Sequence, residues 1–227
     1  MCRECLRAPQ PLEAEFFCAS CRAPFVNAFP LDERGLCALC RGGLRGFDAA
    51  YSFGAYEGAL REMLHLFKYG GVKTMAGPLG EFLVAALPRD ERFDAVVPVP
   101  LHWLRRRRRG FNQSELLARE IGSHTNLPVW GALRRARRTS AQAGLSNTAR
   151  RKNVGGAFLP ASAKLLRLDL RGKRILLVDD VLTTGSTAAA CAAALKRAGA
   201  VRVSVLTVAR VDRRLGVGGA VAGGGKR

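Results

Sequence analysis

The stretch KRILLVDDVLTTGSTAAA, residues 173–190, joins an apolar run, two adjacent acids and a series of small hydroxylated residues. Ile175 to Val178 are unbroken apolar positions, the pattern of a strand buried on both faces of a parallel sheet. The strand is expected to end at Asp179 and Asp180, with a helix beginning near Thr187. The intervening LTTGST turn can aim successive backbone N–H groups and the positive helix end at one point. Thr183, Thr184, Ser186 and Thr187 add hydroxyl donors, and Gly185 permits a tight turn and a close approach. The result is an anion site suited to a phosphomonoester. It is neither a Walker A loop nor a dinucleotide fingerprint, because GxxxxGK[ST] and GxGxxG are both missing. Asp179 and Asp180 then lie one turn away as acceptors, so a sugar phosphate fits both halves. The competing reading is a pair of strand-end acids capping the turn.

Working outward, TAAACAAALKRAG (187–199) reads as an Ala-rich helix ending at Gly199, and VRVSVLTVA (201–209) as another strand. Strand, helix and strand in this order make a parallel βαβ unit. Upstream, Leu60, Met63, Leu64 and Phe67 recur at helical spacing in EGALREMLHLFKY (57–69), and Gly70-Gly71 stops that helix. A second helix is expected over 77–87, ended by Pro88, and a short buried strand over 93–101. Asn112 with Glu115 is expected to cap the helix QSELLAREIG. Residues 139–153 are polar without a period and read as a mobile loop, and 213–227 as a disordered Gly-rich tail. The organisation is thus a cysteine-rich module over 1–46, an α/β domain over 47–212, and the tail.

The formal charge of +19 is unevenly placed. Residues 1–100 are nearly balanced, whereas 101–168 hold 15 basic and 2 acidic residues, clustered at 105–109, 134–138 and 150–152. Such a block suits a polyphosphate or a nucleic-acid backbone. Arg outnumbers Lys 30 to 7, as GC-rich coding would produce, but drift alone would not concentrate the charge. No charged-then-apolar leader and no apolar run near 18 residues is found, so a cytoplasmic protein without membrane insertion is expected.

Six of seven cysteines fall in CxxC pairs, Cys2/Cys5, Cys18/Cys21 and Cys37/Cys40. Two such turns complete a tetrahedral Zn²⁺ site. Cys18, Cys21, Cys37 and Cys40 have the ribbon-like spacing and are favoured over a site using Cys2 and Cys5. The latter pair reads as half of a second site whose partner pair is not found, with a misassigned start codon and loss of that site both left open. The zinc reads as a fold staple rather than a catalyst, and Cys191 as core. His65 and His124 read as packing or surface residues.

VDDVLTTGST resembles the phosphoribosyl-diphosphate (PRPP) motif of type I phosphoribosyltransferases. FKYGG (67–71), VVPVPLHWLRRRRRGFNQSELLARE (96–120), TSAQAGLSNTARRKNVGGAF (139–158) and VLTVAR (205–210) resemble one branch of them, the ComF family of ComFC and GntX-like proteins. The resemblance implies a type I phosphoribosyltransferase fold, a parallel twisted sheet flanked by helices, behind a zinc-ribbon-like module. It implies that Asp179 and Asp180 bind the ribose hydroxyls and act in catalysis, while Val181, Leu182 and Thr183 to Thr187 hold the 5′-phosphate. Pro98, Val99, Pro100, Leu101 and His102 fall where the family places its pyrophosphate loop, which meets an Mg²⁺-bound diphosphate together with nearby Arg side chains such as Arg109. Lys68 and Tyr69 border the site. Gln142, Arg150, Arg151 and Asn153 are the expected contacts of a loop that folds over it. The chemistry implied is substitution at C1′ of the ribose with loss of pyrophosphate. No segment reads as a nucleobase pocket, so the acceptor is open. The family's association with DNA uptake in competence implies a second reading, a single-stranded-DNA-handling protein with a competence helicase as partner. A transcriptional regulator on the same fold is a third.

Overall fold

The computed structural model describes residues 3–25, 27–41, 46–136, 157–161 and 169–211. Cys2, the 139–153 loop with Gln142, Arg150, Arg151 and Asn153, and the 213–227 tail lie outside the described residues, as does the side chain of Cys5.

Four strands form one all-parallel sheet: β3 (Ala49–Ala55), β4 (Ala95–Pro98), β7 (Arg174–Leu182) and β8 (Arg202–Arg210), in the order β3-β8-β7-β4. The acid-bearing strand β7 is therefore internal, flanked on both sides. Its side chains alternate between two cores, as a period of two requires. Leu176 and Val178 join Val96, Leu206 and Val208 on one face, covered by α3 (Gly58–Tyr69), α4 (Ala76–Ala85) and α6 (Gln113–Thr125). Ile175 and Leu177 join Val97, Val203 and Val205 on the other, covered by α7 (Ser186–Arg197). All eight of these alternating β-strand residues of β7 and β8 and their neighbours on β4 are fully buried. Leu60, Met63, Leu64 and Phe67 form the buried face of α3, as their spacing predicts.

The second face is completed by two antiparallel pairs. β5 (Leu133–Arg135) pairs with β6 (Phe158–Pro160), and β1 (Phe16–Phe17) with β2 (Pro24–Phe25). The short helices α1 (Arg3–Arg7) and α2 (Ala38–Arg41) belong to the same N-terminal region as β1 and β2. Cys18, Cys21, Phe25 and Cys37 lie in the same apolar cluster as Leu177, Leu182 and Ala188, so the cysteine region packs directly on the sheet domain.

Three expectations need correction. β7 does not stop at the acids: Val181 and Leu182 continue its register with Ala209 and Arg210, while the helix does begin near Thr187, at Ser186. The neighbouring strand β8 is equally long, so the ladder remains satisfied past the acids. Asn112 occupies the N-cap position of α6 without capping it. Its Nδ2 donates instead to the carbonyl of Val99 at 3.1 Å, a buried acceptor beyond the end of β4. Glu115 is likewise turned outward, to Arg119 at 2.8 Å and Arg106 at 3.6 Å. Finally, the short strand expected over 93–101 is confined to Ala95–Pro98. β3 precedes it, a strand of mostly small residues in which Gly54 admits the Gln10 carbonyl and the Leu60 side chain within 2.8 Å of where a Cβ would stand.

Candidate functional site

The C-terminal ends of β4 and β7 lie side by side, with Pro98 opposite Val178 and the Val99 N–H donating to the Val178 carbonyl at 2.9 Å. Ligands of open parallel sheets bind at such strand ends. Here the arrangement brings residues 98–102, the acids and the 183–187 turn to one rim.

Asp179 is buried far enough that desolvation, reinforced by the adjacent Asp180 charge, pushes its carboxyl up to about 7. Its Oδ1 accepts from the Ser114 hydroxyl at 2.8 Å and from the Asp180 N–H at 2.9 Å. Ser114 is a buried residue of the first turn of α6, and the sequence reading passed over it. Its only local mark is a hydroxyl one residue into a helix, within GFNQSE, which does not say what it faces. Asp180 forms an ion pair with Lys68, Nζ to Oδ1 2.9 Å, from the last turn of α3. Lys68 therefore meets one of the two acids directly.

The turn after β7 has the form its residues predict. Gly185 is left-handed, φ +77°, and stands at the N-cap of α7. The Thr184 and Ser186 hydroxyls lie 2.9 Å apart, and the Ser186 N–H donates to Thr184 Oγ1. Beneath the turn, the Phe47 ring comes within 3.6 Å of where a Gly185 Cβ would stand.

After Pro98 the chain runs through Val99 to His102, whose Nδ1 accepts from the Leu104 N–H and caps α5 (Trp103–Arg109). This helix has no buried residue, which is why its five arginines carry no periodic signal. Arg109 bends back, donating to Gln113 Oε1 at 3.1 Å and covering the Tyr69 ring at 5.0 Å. Arg135, over the Phe158 ring, is a further cation whose field reaches Asp179; burial, then Arg105, pulls it below the ordinary arginine value.

The second constellation is the cysteine cluster. Cys18 and Cys21 sit in the β1–β2 turn, where Arg22 adopts φ +52° and the Cys18 N–H donates to the Ala23 carbonyl. Cys37 and Cys40 sit in a matching turn, Cys40 N–H to Cys37 carbonyl 2.8 Å. All four sulfurs lie within 4.8 Å of one another, so the cluster can hold a metal ion. The residues fit zinc: a tetrahedral site with Zn–S near 2.3 Å sets sulfurs ~3.8 Å apart, and Cys21 and Cys37 Sγ are 3.8 Å apart. The Cys37 N–H also donates to Cys18 Sγ at 3.3 Å. Hydrogen bonds from Cys21, Cys37 and Cys40 hold the Cys18 thiol well below its usual range. The cluster is tied to the sheet by Arg210, which donates to the Cys21 carbonyl at 2.8 Å, and by the Ala50 N–H bonded to the Ser20 carbonyl. Cys191 is fully buried in α7, as expected, and His65 and His124 are exposed.

A parallel sheet whose internal strand carries an acid pair near its C-terminal end and leads through a hydroxyl-rich turn into a helix defines a class, and the sequence comparison agrees. The chain belongs to the phosphoribosyl transferase domain family, whose model matches residues 81–217. It is similar to competence protein F of Haemophilus influenzae, 30% identical over 181 residues, 77% of this chain and 78% of that one. It is also similar to DNA utilization protein YhgH of Escherichia coli K12, 34% identical over 163 residues, 68% of this chain and 69% of the relative. The Salmonella typhimurium protein of the same name is 31% identical and aligns over 85% of this chain and 96% of its own. These relatives place it in the ComF branch. Among the described residues, no helix is long and apolar enough to cross a membrane.

Proposed function

We propose that the rim formed by Asp179, Asp180 and residues 183–187 binds PRPP together with Mg²⁺. The observation that carries this reading is the pairing of two functions on one strand end. Two acids held by Ser114 and Lys68 stand next to a left-handed Gly185 turn that opens onto a helix N-terminus. The acids accept the ribose hydroxyls, and the backbone and hydroxyls of Thr183 to Thr187 take the 5′-phosphate. Residues Pro98 to His102, with Arg109, meet the diphosphate. The oxygen donors gathered here suit Mg²⁺, which supplies charge neutralisation of the diphosphate. In a transfer reaction the C1′–oxygen bond breaks with its electron pair leaving on pyrophosphate, and C1′ bonds to a lone pair of the acceptor. The chain's contribution to that step is positioning and electrostatics. Zinc in the four-cysteine cluster serves the fold.

Calorimetry tests the site. Mg²⁺-dependent PRPP binding is expected for the native protein and is expected to fall at least a hundredfold in D179N/D180N; equal binding by both proteins would sink the assignment.

A second reading, single-stranded DNA handling in competence, is favoured by one surface. Trp103 is 61% exposed at the start of a helix whose Arg105 to Arg108 are all exposed, which combines a stacking ring with phosphate-binding charge. The names of the relatives agree with it. Affinity for an oligo-dT strand is expected to fall steeply between 50 and 200 mM salt, by roughly tenfold or more. Neutralising Arg105 to Arg108 should flatten that slope; a flat slope in the native protein would remove this reading.

A further inference from the structure

We propose that Lys68 is a built-in cation of the acid pair, and that it keeps a free divalent ion out of the ribose end of the site. It rests on the reading above only for the identity of the ligand; the exclusion of the ion follows from the side chains alone.

The placement of Lys68 is fixed by the fold. Leu64 and Phe67, fully buried, clamp the last turns of α3 against the sheet. Lys68 then reaches over the end of β7, and Gly70 ends the helix immediately afterwards. Its Nζ is 2.9 Å from Asp180 Oδ1, and the two side chains are only 15% and 13% exposed. A lysine so far from water persists only beside opposite charge. Burial works to lower its pKa, yet the charge and hydrogen bond of Asp180, with a contribution from Asp179, leave it raised. The ammonium is therefore retained, and Asp180 faces it through Oδ1. Asp179 is held separately, its Oδ1 engaged by Ser114 and by the Asp180 N–H.

Two adjacent carboxylates at a strand end would ordinarily attract a hard divalent cation. Here a protein cation is already in contact with one of them, and the two acids with Lys68 carry at most one net negative charge. A metal ion approaching the acids alone must displace or face that ammonium. A metal that arrives on a diphosphate need not, because the diphosphate is met by residues 98–102 on the neighbouring strand end. Lys68 thus makes metal entry conditional on the diphosphate. It is a positioning residue: it acts through Asp180 and on the order in which ligands arrive.

Mn²⁺ alone is the probe, followed by electron paramagnetic resonance on the full chain without any sugar phosphate. The native protein is expected to leave Mn²⁺ free at micromolar to low millimolar levels. Lys68→Gln should gain one Mn²⁺ per chain at least tenfold tighter, and adding Asp180→Asn should abolish the gain. Lys68→Arg, which keeps the charge, should behave as native; a purely structural role for the side chain would not produce this split. A folded K68Q that gains no Mn²⁺ overturns the proposal. So does a native protein that takes up Mn²⁺ in a manner lost in D180N, a measurement that needs no Lys68 variant to fold. If native protein fails to bind PRPP while K68Q gains Mn²⁺, the functional reading falls and the role of Lys68 stands.

Discussion

Asp179→Asn is expected to make the protein more stable at pH 8 while removing its proposed ligand binding. Burial and the neighbouring Asp180 push the Asp179 carboxyl up to about 7, against roughly 3.9 in an unfolded chain. A raised acid pKa means that the folded state holds the proton more tightly than the unfolded state. Stability is therefore lost as pH rises from about 4 to about 7, and the full cost, on the order of 2–4 kcal/mol, applies above that window. Asn carries no such charge, and its amide oxygen can keep both hydrogen bonds, from the Ser114 hydroxyl and the Asp180 N–H. Melting curves should coincide near pH 4 and separate progressively to about 5–10 °C by pH 8. A D179N protein that melts below native at pH 8 would show that the acid is stabilising and ionised in the fold. A cost of this kind at a strand end is what the proposed ligand role of Asp179 predicts.

Removing the metal is expected to have the larger structural effect. The described hairpin of the cysteine region is two residues long on each strand, too small to bury a core of its own. In small zinc modules metal–thiolate bonds supply such stability, of order 10 kcal/mol. The damage should not stay local. Cys18, Cys21 and Cys37 are fully buried in the cluster that contains Leu177, Leu182, Ala188 and Cys191. Arg210, bonded to the Cys21 carbonyl, also pairs through its backbone with Leu182, the residue that leads into the phosphate turn. Chelation of the purified protein should release one zinc per chain, lower the melting temperature by more than about 10 °C, and weaken PRPP binding in parallel. Cys37→Ser should reproduce this. An unchanged melting curve after proven metal loss would mean that packing alone holds the cluster.

Much of the site was legible because it is local. An apolar run, two acids and a Gly-containing hydroxyl turn fall within fifteen residues, and each residue's role follows from its neighbours on the chain. The four cysteines were legible for a similar reason: each CxxC turn is its own geometric unit, and the spacing between the two selects the pair. Helix α3 was readable from Leu60, Met63, Leu64 and Phe67 alone. By contrast, β3 escaped notice because five of its seven residues are Ala, Ser or Gly, leaving only Tyr51 and Phe53 as large apolar marks. α5 escaped because a helix with no buried residue has no apolar face to read.

What the chain determined by itself was the strand–turn–helix that presents Asp179, Asp180 and Thr183 to Thr187, and the cluster of Cys18, Cys21, Cys37 and Cys40 that can hold a metal ion. Only the tertiary structure decided what holds the acids. Ser114 is 65 residues from Asp179, and Lys68 lies more than a hundred from Asp180. No local pattern records such contacts. They arise because parallel pairing of β4, β7 and β8 aligns the strand ends, while the apolar faces of α3 and α6, packed on one side of the sheet, carry one polar residue each to that rim.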